Sequence, residues 1–268
     1  MTRSKVAWIT GAGRGIGRAI ALALARERIA SALLARTGEE IDEVARKIGA
    51  GGGRAVAYRC DLARTAEILE TVERIRGDLG PADILVNNAG IALSRKLEET
   101  TDEDWEAAIR LNMTVPFILC REVIPAMIGN RWGRIVNIAS TAGKVGYRYT
   151  AAYTASKHGL VGLTRSLALD VKKHGITVNA VCPGWVNTAM TDESVRNIAE
   201  RTGMDEEKAR ATLARMNPGG RLIEPEEVAA AVVRLIGDDS DAITGQAIDL
   251  DAGNSSIAPA VQRTRQEE

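Results

Sequence analysis

Three side chains able to move a proton to or from an oxygen fall within one short stretch, Ser140, Tyr153 and Lys157. Tyr153 and Lys157 are four apart, so a helix would carry them on one face, a turn from each other. Ser140 closes the apolar run Arg134–Ala139, which reads as a strand. A phenol has an ordinary pKa of about 10 and is a poor acid or base near neutrality. A cation within about 4–6 Å favours phenolate and lowers that value. The set therefore points to proton transfer at a substrate oxygen, with Tyr153 as acid/base and Lys157 as the cation that tunes it.

Such a set needs elements that bring a strand end and a helix together, and the chain supplies them in alternation. Lys5–Thr10, Ile29–Ala35, Arg54–Cys60, Asp83–Val86, Arg134–Ala139, Ile176–Val181 and Ala247–Leu250 read as strands. Helical patterns separate them, over Arg18–Arg28, Glu39–Ile48, Thr65–Gly77, Asp102 through Phe117 and beyond, Ala151–Lys173 and Glu226–Ile236. Alternation predicts an α/β fold, one doubly wound parallel sheet of about seven strands with helices on both faces. Open sheets of this kind bind ligands at the carboxyl ends of their strands. The first strand runs into Gly11-Ala12-Gly13-Arg14-Gly15-Ile16-Gly17 and then a helix, a place where bare backbone can approach a phosphate. The common G-x-G-x-x-G spacing is not met, because Ile16 stands where its last glycine would fall. About 20 residues on, where an acidic residue usually meets the ribose hydroxyls, stand Ala35 and Arg36. With Arg14, Arg36 suits a 2′-phosphate, since a guanidinium donates to such an anion bidentately. These residues lead us to expect NADP(H) in preference to NAD(H).

The polar segment 187–220 holds no strand-like run and follows a strand end, so it reads as a substrate lid. The tail 255–268 is polar and reads as frayed. No linker divides the chain, and residues 1–268 are expected to form a single domain.

The composition narrows the function classes. Lys plus Arg number 35 and Asp plus Glu 35, so no overall charge draws nucleic acid or an anionic membrane. The apolar run Ala19–Ala25 is too short to span a bilayer, and no signal-peptide pattern precedes the first strand. Cys60, Cys120 and Cys182 are odd in number and sit in apolar segments, which predicts buried free thiols and a cytoplasmic setting. Two histidines and no paired cysteines predict no metal site.

Taken in order, Thr10-Gly11-x-x-x-Gly15-x-Gly17, Asp61, Asn87-Asn88-Ala89-Gly90, Asn112, Ser140, Tyr153-x-x-x-Lys157 and Pro183-Gly184 with Thr188 resemble the short-chain dehydrogenase/reductase family over about residues 4 to 253. The resemblance implies hydride transfer between a nicotinamide and a ketone/alcohol pair. It implies that Tyr153 protonates the carbonyl oxygen, that Lys157 lowers the Tyr153 pKa and holds the ribose, that Ser140 binds the substrate oxygen, and that Asn112 supports a water relay to Lys157. Around the cofactor it implies Gly11, Arg14, Gly15, Ile16 and Gly17 at the pyrophosphate, and Asp61 with Leu62 at the adenine. It places Asn88, Ala89 and Gly90 on the adenosine side, and Pro183, Gly184, Val186 and Thr188 at the carboxamide and phosphates. For Asn87, strand termination is the expected role.

Arg18, the run 130–136 and the run 174–179 look most like 3-oxoacyl-carrier-protein reductases and related hydroxyacyl and polyketide ketoreductases. That implies a 3-oxoacyl thioester, on carrier protein or CoA, with a small cyclic ketone, a sugar or a steroid-like alcohol as the alternative. Arg131 and His174, with Lys172 and Lys173, are the expected carrier-docking positions beside the active-site mouth. Lid residues Arg196, Arg201, Lys208 and Arg210 could meet the phosphates of a CoA thioester instead. The resemblance also implies a homotetramer, which fits the apolar exteriors expected for the Asn112 and Tyr153 helices. The intact acid/base pair argues against a non-catalytic NADP sensor, and the C-terminal region is too small for an extended sugar-nucleotide epimerase.

Overall fold

The computed structural model describes residues 4–251. Seven parallel strands form one sheet in the order β3-β2-β1-β4-β5-β6-β7. They are β1 (Val6–Thr10), β2 (Ala30–Ala35), β3 (Ala55–Arg59), β4 (Ile84–Asn87), β5 (Gly133–Ile138), β6 (Ile176–Pro183) and β7 (Ala247–Leu250). β1, β4, β5 and β6 are buried along their whole length. Their continuous apolar runs follow from cover on both faces of the sheet.

That cover comes in two layers. On one face α1 (Gly15–Arg26), α2 (Gly38–Ala50) and α9 (Pro225–Ile236) bury Ile20, Leu24, Ile41, Val44, Val228 and Val232 against Ile9, Leu33 and Val86. On the other, α3 (Thr65–Asp78), α5 (Val115–Asn130) and α6 (Ala151–Val171) bury Ile68, Val72, Leu119, Val123 and Ala168 against Trp8, Leu34 and Ile135. The buried residues of α2 recur at helical spacing, Ile41, Val44 and Ile48, with charged residues between them. α9 starts at Pro225 behind a reciprocal capping box of Glu224 and Glu227, as its sequence dictates.

Two elements differ from expectation. α1 begins at Gly15 rather than Arg18, so Gly15 and Gly17 form the first turn of the helix itself. The Asn112 helix is not uniform. α4 (Asp102–Ile109) passes into five residues of π-helix, Arg110–Thr114, before α5. The reason lies in Asn112, whose amide bonds sideways to Ile91 and Ser156. A π-turn of this kind usually marks a functional site. The segment 187–220 contains two helices, α7 (Ala189–Thr202) and α8 (Glu206–Met216), the second capped by Asp205. The tail 255–268 lies outside the described residues.

The run Asp102–Asn130 is long and apolar enough by composition to cross a membrane. In this fold it packs on the sheet, with Val115, Ile118, Leu119, Val123 and Met127 buried. Its other side leaves Trp105 and Phe117 each 45% exposed, and on α6 Leu169 is 68% exposed.

Candidate active site

The order of strands reverses between β1 and β4, and the crevice of such a sheet opens at that switch point. The two strand ends are stitched together there. The Thr10 hydroxyl accepts from the N–H groups of Asn88 (2.9 Å) and Ala89 (3.0 Å), and the Asn88 amide donates to the carbonyls of Thr10 (2.9 Å) and Gly11 (3.1 Å). Asn88 is thus engaged with the glycine loop rather than held out to a ligand. Gly17 has no alternative in this loop, because a Cβ there would lie 2.1 Å from the Gly11 carbonyl oxygen.

Bare backbone next to a helix start is an anion cradle. α1 has no side-chain cap, and its N-cap residue Arg14 is exposed. α7 also starts without a side-chain cap, at Thr188. The two starts meet, since a Cβ on Gly15 would stand 3.2 Å from the Thr188 methyl. Unused N–H groups and positive dipole ends of both helices can therefore hold a pyrophosphate. This cradle fits a nicotinamide dinucleotide. At the end of β2, Ala35 presents no carboxylate, and Arg36 is exposed. Asp61 is largely engaged in its own turn, accepting from the Ala63 N–H at 3.0 Å and facing Arg64 at 3.7 Å. Leu62 is buried behind it. Val186, also buried, accepts through its carbonyl from the hydroxyls of Thr188 (3.4 Å) and Thr191 (2.5 Å), which fixes the start of α7. Sequence reasoning missed Glu40, whose Cβ would stand 2.7 Å from a Cβ on Gly13, so its side chain rests against the loop.

The proton-handling groups converge beyond β4 and β5. The Lys157 ammonium is buried, donates to the Ile138 carbonyl at 2.8 Å, and lies 5.8 Å from the centre of the Tyr153 ring. A Cβ on Gly90 would be 2.9 Å from the Asn112 amide oxygen and 3.6 Å from the Lys157 nitrogen, so these three sit together. Asn112 accepts from the Ile91 N–H (2.9 Å) and donates to the Ile91 carbonyl (2.9 Å) and the Ser156 hydroxyl (2.9 Å). Only one lone pair of its oxygen is left for a water, so the side chain mainly anchors the loop that follows β4. Ser156 itself was not foreseen. Ser140 accepts from the Ala142 N–H at 3.1 Å, and its hydroxyl favours the ionised form of the Tyr153 phenol.

One expectation is overturned. Lys157 does not bring the Tyr153 phenol below its ordinary value. Burial raises it, and the Ser140 hydroxyl pulls it only part of the way back. The ammonium faces the ring and the Ile138 carbonyl, and the same loss of water pushes Lys157 down to about 8. A further correction concerns charge around the site. Arg131 precedes β5 and Lys172–His174 precede β6, so all four lie at the amino edge of the sheet. β5 has six residues, which separates them from Ser140 by about 20 Å, and they do not flank this chain's own active-site mouth. Among the cations of segment 187–220, Arg210 is engaged with Asp192 and with Asn187 (3.2 Å), and Arg201 stands 3.9 Å from Glu99.

The three thiols are free and buried, and burial pushes Cys120 to about 12 and Cys182 to about 11, which leaves them unreactive. Among the described residues no group of three His, Cys, Asp or Glu side chains gathers as for a metal.

A dinucleotide cradle beside a serine, a tyrosine and a lysine defines a nicotinamide-dependent oxidoreductase acting on hydroxyl and keto groups. The chain belongs to the short-chain dehydrogenase family, whose sequence signature matches residues 5–199. It is 38% identical over 259 residues to a D-beta-hydroxybutyrate dehydrogenase of Rhizobium meliloti, covering 93% of this chain and 98% of that protein. It is 36% identical over 249 residues to a 3-oxoacyl-[acyl-carrier-protein] reductase of Thermotoga maritima, covering 93% and 97%. The crystal structure of an actinorhodin polyketide ketoreductase variant with NADPH superposes with a TM-score of 0.90 at 39% identity, covering 94% of this chain and 98% of that one.

The depressed lysine has a measurable consequence. From about pH 8 up to its ordinary value near 10.5, the unfolded chain holds more of this proton than the folded chain. Stability from this group therefore rises with pH across that window and is lost as pH falls through 8. Denaturant unfolding without cofactor should show wild type gaining on Lys157→Met between pH 7.5 and 9.5. A constant difference between the two would mean that the ammonium is not depressed.

Proposed function

We propose that this chain reduces the ketone of a 3-oxoacyl compound with NADPH, and that Tyr153 is the proton donor. The observation that carries the reading is the half-buried Tyr153 phenol, which Ser140 influences from the end of β5 and the Lys157 ammonium backs at 5.8 Å from the ring centre. The nicotinamide supplies the hydride to the carbonyl carbon. The Tyr153 hydroxyl gives its proton to the carbonyl oxygen, and Ser140 donates a hydrogen bond to that oxygen as charge develops on it. Asn112 and Gly90 keep Lys157 in place behind the phenol. The phosphates rest on the starts of α1 and α7, with Gly11, Gly15, Ile16, Gly17, Pro183, Gly184 and Thr188 around them. Arg14 and Arg36 take the 2′-phosphate, supported by the absence of a carboxylate at Ala35 and of any ion pair from either guanidinium to a described residue.

The 3-oxoacyl reading is supported by two relatives named for β-oxygenated acyl compounds, a hydroxybutyrate and a 3-oxoacyl chain. The position of Arg131 and His174 weakens the case for a carrier protein docked at this chain's own mouth. We therefore favour a CoA-like or free 3-oxoacyl substrate over an obligate carrier-bound one. Exposed Phe117, Trp105 and Leu169 on the α4–α6 face support assembly with further copies into a tetramer.

Tyr153→Phe should bind NADPH normally and lose turnover by about 10²–10⁴-fold on acetoacetyl-CoA. Near-normal kcat would remove Tyr153 from the acid role, whereas a far higher kcat/KM on cyclic ketones, sugars or steroids would remove the acyl substrate alone. For the cofactor, kcat/KM should favour NADPH over NADH, and Ala35→Asp should move the ratio toward NADH through repulsion of the 2′-phosphate. An initial preference for NADH would contradict the assignment of Arg14 and Arg36. Light scattering at micromolar concentration should give the mass of four chains, and a monomer mass would exclude the assembly.

A further inference from the structure

We propose that Lys144 and Asp249 are a positioning pair for the Ser140–Tyr153 couple, tethering the serine loop to the edge strand and cancelling each other's charge beneath it. The inference rests on the proton-donor role given above to Tyr153.

After β5 the chain turns through Ser140 and a short 3₁₀ turn, Thr141–Gly143, and only later enters α6. Ser140 holds the front of this turn through the Ala142 N–H. Lys144 closes its end, with its N–H on the Thr141 carbonyl at 3.0 Å. The Lys144 side chain then crosses to β7, where its ammonium bonds the Asp249 carboxylate and approaches the Ala247 carbonyl at 3.5 Å. Asp249 is the register partner of Cys182 on β6, and the next residue, Leu250, accepts from the Gly184 N–H at 2.9 Å. One ion pair thus joins the serine loop to the strand ends that carry Pro183 and Gly184.

The pair is partly buried, with side-chain exposures of 25% for Lys144 and 8% for Asp249. The second Asp249 oxygen is buried without a hydrogen-bond partner. A partly buried pair with one unsatisfied oxygen is a poor source of stability, because desolvation offsets much of the attraction. Apolar residues of the same size would hold β7 at least as well, which leaves position and charge as the reasons for these two. The ionisable groups facing Tyr153 and Lys157 are each other on α6, Tyr147 on the connecting loop and Cys182 on β6. Behind Cys182 stand Asp249 on β7 and Lys144 on the loop, acting on it with opposite signs. Without Asp249, the Lys144 charge stands uncompensated behind Cys182, which itself faces Tyr153 and Lys157. A cation there favours the phenolate of Tyr153 and the neutral amine of Lys157.

The test follows acetoacetyl-CoA reduction at saturating NADPH against pH in the full chain, for Asp249→Asn, Lys144→Met, the double variant and Lys144→Arg. NADPH affinity is measured by fluorescence and thermal melting checks folding. In Asp249→Asn the alkaline limb of kcat/KM should move down by about half a pH unit or more. The double variant should return that limb to its wild-type place. Lys144→Met and the double variant should lose about 10-fold or more in kcat through a displaced Ser140, with NADPH affinity within about twofold of wild type. Lys144→Arg keeps charge and reach and should recover most of kcat. Unchanged kcat in Lys144→Met, or an unmoved limb in Asp249→Asn, would reduce the pair to a structural bolt and overturn the proposal. If Tyr153→Phe retained turnover, the proton-donor reading would fall instead, and that variant separates the two failures.

Discussion

Burying an ammonium beside a phenol is the constraint around which the rest of this chain is arranged. A lone buried cation is costly and tends to shed its proton. Burial pushes Lys157 down to about 8, and its nitrogen finds a partner in the Ile138 carbonyl at the very end of β5. That carbonyl is available because β5 stops there and the chain turns into the serine loop. Gly90 carries no side chain because the Asn112 amide oxygen occupies the space a Cβ would need, with Lys157 just beyond it. The π-turn of the α4–α5 run follows from the same demand. It swings Asn112 out of the regular helical path to clamp Ile91 and Ser156, fixing the loop after β4 and the helix that carries Tyr153 and Lys157.

The cofactor side solves the opposite problem, holding negative charge without burying a positive side chain. Two uncapped helix starts, α1 and α7, meet at Gly15 and Thr188. They belong to elements far apart in sequence, and what brings them together is the parallel sheet, which delivers every strand end to one edge. Backbone dipoles need no counter-ion and little reorganisation. The side chains at the centre are therefore left for proton transfer, while exposed guanidinium groups stay at the rim, where solvent lowers their cost.

Much of this was legible in the sequence, and the reason is local periodicity. Continuous apolar runs gave all seven strands to within a residue or two, because strands covered on both faces tolerate little else. The spacing of Tyr153 and Lys157 gave their shared face, because both lie in one helix. What escaped were contacts between distant segments. Nothing near Lys144 announces Asp249, more than a hundred positions on, and nothing near Ile91 announces the Asn112 clamp. The start of α1 was misplaced because glycines read as loop residues, although here they begin a helix whose first turn must leave room for the Gly11 carbonyl. The Arg131 and His174 positions misled for a related reason. Residues just before a strand and residues just after it are close in sequence yet lie on opposite edges of a parallel sheet.

The overturned expectation about Tyr153 changes how the site is understood. A lysine that lowered the phenol toward neutrality would give a tyrosine able to act equally as acid and base. Burial does otherwise, raising the phenol and lowering the amine together. Near pH 7 the phenol holds its proton and the amine its charge, which is the state a carbonyl reductase needs at the start of its reaction. The reverse direction needs a phenolate, favoured as pH rises, yet above about 8 the amine that would stabilise that phenolate is losing its charge. The two directions therefore have different electrostatic requirements at one site.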